Sequence, residues 1–211
     1  MIVYFEGIDG VGKSTQIALL KEQFKEVIAT CEPGGTELGK KLREMIFKGK
    51  ICSKAELFLF LADRAQHYAS VLAPNKNALV LSDRGFVSGI AYGADSAPID
   101  ELVYLNKFAL NNDFEAKFVF FKADEKLIHE RLMKRAGSDS IEKRGIEYLM
   151  RVQGYMEIVL KDLELNYIEI NANDEISAIN AKIVDFIKAD LCLLRLAFLL
   201  VALARPLLTL N

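Results

Sequence analysis

The stretch Gly7-Ile8-Asp9-Gly10-Val11-Gly12-Lys13-Ser14 follows directly on the apolar run Ile2-Val3-Tyr4-Phe5, and no other part of the chain constrains its fold as strongly. It fits G-x-x-x-x-G-K-[ST], a loop that joins a buried strand to a helix and wraps the phosphates of a nucleotide. Glycines let the backbone turn tightly and aim successive N–H groups inward, making an anion nest at the helix N-terminus. A lysine placed as Lys13 is reaches the β- and γ-phosphates, and a hydroxyl placed as that of Ser14 is can ligate Mg²⁺. A glycine-rich turn beside a surface lysine is the plainer alternative, and the strand-then-helix context argues against it. A nucleoside triphosphate site is therefore expected across Gly7–Thr15.

At 211 residues the chain suits one α/β domain with a sizeable core. A net charge of −2 argues against a nucleic-acid binder working through a broad basic surface. Cys31, Cys52 and Cys192 lie far apart with no C-x-x-C pair, so neither a disulfide framework nor a zinc site is suggested. His67 and His129 have no partner at ligand spacing and read as ordinary packing or surface residues. Met1 leads almost directly into the first apolar run, so no secretory leader is expected, and the chain reads as reduced, cytoplasmic and soluble up to about residue 189. From Leu191 to Leu210 it changes character: nearly everything is apolar, broken by Arg195, Arg205, Pro206 and Thr209. The longest uncharged stretch, Leu196 to Ala204, is short for a spanning helix, and Pro206 disfavours continuity. Three readings of 190–211 stay open: a reading-frame or expression artefact, a packing helix, and a membrane anchor.

Short apolar runs at Ile2–Ile8, Val27–Cys31, Ala78–Ser82, Lys117–Lys122 and Tyr167–Asn171 read as strands. Segments of helical period separate and follow them: Ser14–Lys25, Glu37–Phe47, Lys54–Leu72, Ile99–Leu110, Glu125–Arg135, Glu142–Leu163 and Glu175–Lys188. Continuous apolar strands alternating with helices predict a five-stranded parallel sheet covered on both faces, the three-layer α/β architecture of P-loop NTPases. Ligands of such sheets bind at the carboxyl ends of the strands.

Two further strand ends carry suggestive residues. Glu32-Pro33-Gly34-Gly35-Thr36 follows the second strand and precedes a helix bearing Arg43. It reads either as a rigid close-approach loop, in which a cis Glu32–Pro33 bond is allowed, or as a plain turn with Thr36 as N-cap. Asp83-Arg84 ends the third strand; the aspartate could hold Mg²⁺ or its water shell, or the pair could be an ordinary cap or salt bridge. On the third helix Phe60 and Arg64 are four residues apart and share a face. A ring beside a guanidinium suits a nucleobase, one stacking and the other bonding its edge; a core phenylalanine and a surface arginine is the alternative. Arg131, Lys134 and Arg135 end a helix before Ala136–Ser140, either as a solvated basic helix end or as a lid closing over the transferring phosphoryl group.

Over roughly residues 1–189 the chain resembles the bacterial thymidylate kinases, members of the P-loop nucleoside monophosphate kinases. The resemblance rests on Phe5 to Gln16, on Glu32-Pro33-Gly34-Gly35-Thr36-Glu37, and on Leu61-Ala62-Asp63-Arg64-Ala65. It continues through Ser82-Asp83-Arg84, Ser88, Ala91-Tyr92 and Asp139-Ser140-Ile141-Glu142. It implies transfer of the γ-phosphoryl group of ATP to dTMP with Mg²⁺, a lid near 131–145, and a homodimer formed through helices away from the nucleotide. It implies that Asp9 contacts the acceptor sugar and orients arginines, that Arg43 and Arg84 hold the acceptor phosphate, and that Phe60 stacks on thymine. Arg64 would bond the base edge, and Tyr92 would pack against the deoxyribose, with Glu32, Pro33 and Ser88 completing the acceptor site. Lys13, Arg131, Arg135 and Asp9 are the expected catalytic set, and Ser14 with Asp83 the expected metal residues. Gly10 rather than an arginine follows Asp9, which resembles the bacterial arrangement and implies that the lid supplies the catalytic arginine.

The chain departs from the family where Gly85 follows Asp83-Arg84, where Gly89 stands in place of a Thr or Asn, and where Gly93 follows Ala91-Tyr92. A polar contact to the base edge is then missing or supplied elsewhere. Another P-loop small-molecule kinase, for a different nucleoside monophosphate or shikimate, remains an alternative for that reason. A GTP switch is disfavoured because Asn75-Lys76-Asn77-Ala78 lacks the aspartate of Asn-Lys-x-Asp and precedes its strand. A non-catalytic nucleotide scaffold is disfavoured because the arginines are all present.

Overall fold

Ile2, Val3, Tyr4, Phe5 and Glu6 are buried without interruption, as a strand covered on both faces must be. The computed structural model describes residues 1–133 and 145–189. Its strands are β1 (Ile2–Glu6), β2 (Val27–Cys31), β3 (Leu79–Asp83), β4 (Lys117–Lys122) and β5 (Asn166–Asn171), all parallel in the order β2-β3-β1-β4-β5. The central strands are continuous apolar runs, whereas β2 and β5 at the edges are only partly covered. The helices are α1 (Lys13–Gln23), α2 (Glu37–Lys48), α3 (Ser53–His67), α4 (Phe86–Gly93), α5 (Ile99–Ala109), α6 (Glu125–Met133) and α7 (Ile146–Asp162), with α8 over 176–189. The sheet grows outward from β1 in both directions, so right-handed crossovers place helices on both faces and leave a crevice where the order reverses.

Register decides what meets in that crevice. Phe5 pairs with Asp83, and Cys31 also pairs with Asp83, so Glu6, Glu32 and Arg84 stand at one level. The Glu32 N–H donates to the Asp83 carbonyl at 3.0 Å and the Arg84 N–H to the Phe5 carbonyl at 2.9 Å, tying the three strand ends together. Below them Phe86 stacks on Phe114 with ring centroids 4.0 Å apart, and Tyr4 on Phe118 at 5.3 Å, a packed aromatic layer that seats the start of α4.

The strands at 27–31 and 117–122 match the sequence reading residue for residue. Two helical expectations need correcting. The segment read as one helix from Lys54 to Leu72 is α-helical only to His67; a π turn (Tyr68–Leu72) and a 3₁₀ turn (Ala73–Asn75) containing Pro74 finish it. Helix α4 was not anticipated: it is only eight residues long, is buried nearly all round and carries two glycines. No helix of the described residues is long and apolar enough to cross a membrane. The 190–211 tail lies outside the described residues, as do residues 134–144 of the expected lid.

Candidate active site

The loop after β1 is shaped by its glycines. A side chain at Gly7 would press on the Phe121 carbonyl at 2.8 Å, and Gly12, the residue that opens α1, has a φ of 103°, in the left-handed region. Loop residues from Asp9 to Thr15 line a cleft of about 600 Å³ at the carboxyl edge of the sheet. Gly7 and Ile8 contribute differently: Ile8 is a core side chain, and the carbonyls of both residues accept from Lys13 Nζ at 3.0 and 2.9 Å. Burial, and next the neighbouring Arg84, push the Lys13 ammonium down to about 8. An anion arriving in the cleft would relieve that penalty.

Ser14 Oγ donates to Asp83 Oδ2 at 2.9 Å at the mouth of the same cleft. Two hard oxygen donors side by side, open to phosphate and water, fit Mg²⁺, which keeps much of its hydration and takes few protein ligands. Arg131 reaches in from α6: Nη1 donates to the Gly10 carbonyl at 2.7 Å and Nη2 to the Ala172 carbonyl at 3.0 Å, so its guanidinium lies across the loop. Arg135 lies outside the described residues.

A narrower cavity opens beside the first. Asp9, Glu32, Pro33, Arg43, Phe60 and Arg64 line it, and so do Arg84, Ser88 and Tyr92. The fold thus gathers every residue expected around the acceptor, from α2, α3, α4 and three strand ends, into one wall. Asp9, Glu32, Arg43 and Arg84 border both cavities, making them two halves of one cleft.

Arg84 is the hinge between the halves. Its backbone has a φ of 73°, an uncommon conformation for a side chain of this size. Nη1 donates to the Gly7 carbonyl at 2.8 Å and to Ser88 Oγ at 3.1 Å, and Nη2 to Asp9 Oδ1 at 2.8 Å. Tyr92 faces the same guanidinium, 5.2 Å from ring centroid to Cζ, and donates weakly to Asp9 Oδ2 at 3.4 Å. Arg43 donates to the Pro33 carbonyl at 2.8 Å and lies over the Phe47 ring. The Glu32–Pro33 bond is cis, and Thr36 caps α2 by accepting the Gly39 N–H at 2.9 Å. The two readings of this loop are therefore both realised.

Arg64 differs from the surface arginine that helical spacing alone allowed. It is 3% exposed, with Nε donating to Glu32 Oε2 at 2.9 Å. The His67 ring nitrogens lie 2.7 Å from Glu32 Oε1 and 2.7 Å from Thr30 Oγ1. Burial alone would raise the Glu32 carboxyl; the charges and hydrogen bonds of Arg64 and His67 instead hold it below the ordinary range. Asp63, one residue before Arg64, accepts the Gly34 N–H at 3.2 Å, and burial with the Glu32 charge pushes its carboxyl up to about 6.

Some of the site was not visible in the sequence reading. Glu6 is fully buried under Ser88, accepting both its N–H, at 3.1 Å, and its hydroxyl proton. Its other oxygen has no hydrogen-bond partner among the described residues, and burial pushes the carboxyl up to about 7. Asn106 on α5 and Phe47 on α2 carry no local motif. Ala172 and Asp174, on the donor side of the cleft, come directly after β5. Their place just past a strand's carboxyl end is the signal that could have found them.

A phosphate-cradling loop with its lysine, joined through shared arginines to a second, apolar-walled cavity, defines a P-loop kinase of the nucleoside monophosphate class. The comparisons with known proteins make this specific. Residues 5–183 match the family described as thymidylate kinase. The curated thymidylate kinase of Campylobacter fetus is 57% identical over 192 residues, covering 89% of this chain and all of that protein, and that of Campylobacter curvus is 51% identical over 193 residues at the same coverage. The crystal structure of thymidylate kinase from Ehrlichia chaffeensis superposes with a TM-score of 0.71 at 25% identity, over 89% of this chain and 98% of that one. The chain belongs to the thymidylate kinase family.

Proposed function

We propose that the chain transfers the γ-phosphoryl group of ATP to dTMP, giving ADP and dTDP, with the two substrates lying end to end in the double cleft. The observation that carries this is the sharing of Asp9, Glu32, Arg43 and Arg84 by both cavities, since donor and acceptor phosphates must meet at that border. The nucleophile is an acceptor phosphate oxygen that is already anionic, so no strong general base is needed. What must be supplied is positioning and positive charge. The loop amides and Lys13 hold the donor; Arg43 and Arg84 hold the acceptor phosphate, with Asp9 aiming Arg84. Phe60 stacks on the base, Arg64 donates to its edge, Tyr92 packs against the sugar, and Glu32 and Pro33 back the wall. Arg131 and Arg135 neutralise charge on the phosphoryl group in flight, since Gly10 leaves the loop without an arginine of its own. Ser14 and Asp83 would hold Mg²⁺, which supplies charge against the β- and γ-phosphate oxygens.

Residues 1–189 form the kinase unit in this reading, with 131–145 its lid and the cytoplasm its place. Two copies associate through α3 and α5, where Phe58, Tyr104 and Phe108 are 60, 71 and 77% exposed. Steady-state kinetics test the assignment of roles. Lys13→Ala and Arg135→Ala are each expected to lower kcat by roughly 10³-fold, far more than they raise KM for dTMP. A large rise in KM with kcat unchanged would contradict the role given to either residue.

A further inference from the structure

Gly89 on α4 lines the acceptor cavity, and the structure shows what fills the space a side chain there would take. A methyl group at position 89 would lie 2.7 Å from Arg64 Nη2 and closer still to Nη1, so the guanidinium sits against bare backbone on α4. Three acceptors fix it there. Nε donates to Glu32, Nη2 to the Gly85 carbonyl at 3.0 Å, and Nη1 to Asn106 Oδ1 at 2.6 Å. Asn106 comes from α5, is fully buried, and is itself held by donating from Nδ2 to the Leu102 carbonyl at 2.7 Å. Its carboxamide therefore has one orientation, oxygen toward Arg64. Among the described residues three of the five guanidinium N–H groups are engaged, leaving one on each terminal nitrogen for whatever enters the cavity that Arg64 and Gly89 line.

We propose that Asn106 is a positioning residue for recognition of the acceptor base, fixing the Arg64 fork from α5, and that Gly89 exists to admit that fork. This rests on the proposed dTMP kinase activity. The base edge is read by donors alone, so a base presenting a carbonyl at that edge is accepted and one presenting an amino group meets N–H against N–H. Asn106 touches no substrate atom; it acts through Arg64.

The test is a double-mutant cycle on the full chain with dTMP and dCMP as acceptors. Asn106→Leu removes the acceptor while keeping the same branched heavy-atom skeleton, and Gly89→Ala drives a methyl group into the guanidinium by an independent route. Each is expected to raise KM for dTMP roughly tenfold or more, as loss of a hydrogen bond to a charged group does, to narrow the preference for dTMP over dCMP, and to leave KM for ATP unchanged. The double variant should be little worse than either single one, because both act on the same guanidinium. Unchanged KM for dTMP in a folded Gly89→Ala protein overturns the inference, as does full additivity or an equal rise in KM for ATP. If Asn106→Leu fails to fold, Asn106→Ala with its dTMP to dCMP ratio decides instead. A parent enzyme inactive on dTMP would instead refute the underlying activity.

Discussion

The residue with the least ordinary chemistry is Glu6. It is the last residue of β1, and its carboxyl lies under Ser88 with no solvent to stabilise a charge. The hydrogen bonds run in one direction: Arg84 Nη1 donates to Ser88 Oγ, whose own proton goes to Glu6, so Glu6 fixes which face of the hydroxyl meets the arginine. Burial raises the Glu6 pKa from 4.5 to about 7. An acid with a raised folded pKa contributes stability below its unfolded value, and that contribution is lost as pH rises through the folded value. The parent protein should therefore lose stability between about pH 4.5 and 7 from this group, at up to about 1.4 kcal/mol per pH unit. Glu6→Gln, which cannot ionise, should be free of that loss. Chemical denaturation of both proteins at pH 5 and pH 8 checks it: the variant should gain on the parent at the higher pH, and an identical pH dependence would show that Glu6 is not the group responsible.

At the scale of elements, the strand ends and the caps do the placing. Thr36 closes the Glu32–Thr36 loop onto α2, and α2 carries Arg43 into both cavities. Thr36→Ala removes an N-cap and should cost about 1 kcal/mol of stability, measured by denaturant midpoint. Because the cap also fixes where Arg43 starts from, KM for dTMP should rise with it; a stability loss with unchanged KM would show that Arg43 is held by its Pro33 contact alone. The strands were legible as short continuous apolar runs, the longer helices by their spacing of apolar residues, and the Gly7–Ser14 loop because phosphate geometry dictates its letters. Helix α4 was illegible since it is only eight residues long, mostly apolar and broken by two glycines, and with it went the reason for Gly85 and Gly89. Asn106 could not be found either: it contacts a residue 42 positions away, and nothing local marks a buried carboxamide as the partner of an arginine. The burial of Arg64 was equally out of reach, for it depends on Glu32 arriving from the end of β2.

At the scale of the whole molecule, one parallel sheet brings two substrate halves to a single edge, and the exposed aromatic residues of α3 and α5 lie among the helices that cover it. Burying Phe58, Tyr104 and Phe108 between copies would remove apolar surface that a lone chain leaves in water. Light scattering should accordingly give a mass about twice that of one chain; a single-chain mass at micromolar concentration would refute the dimer. Above all, the double cleft should join ATP to thymidylate and to no other class of acceptor. A coupled ADP-release assay decides this, with dTMP, dUMP, dCMP, AMP and shikimate offered in turn under identical conditions. Turnover should be fastest with dTMP, weaker with dUMP, which presents the same base edge, and slight with the other three. Turnover confined to dCMP, AMP or shikimate would contradict the assignment.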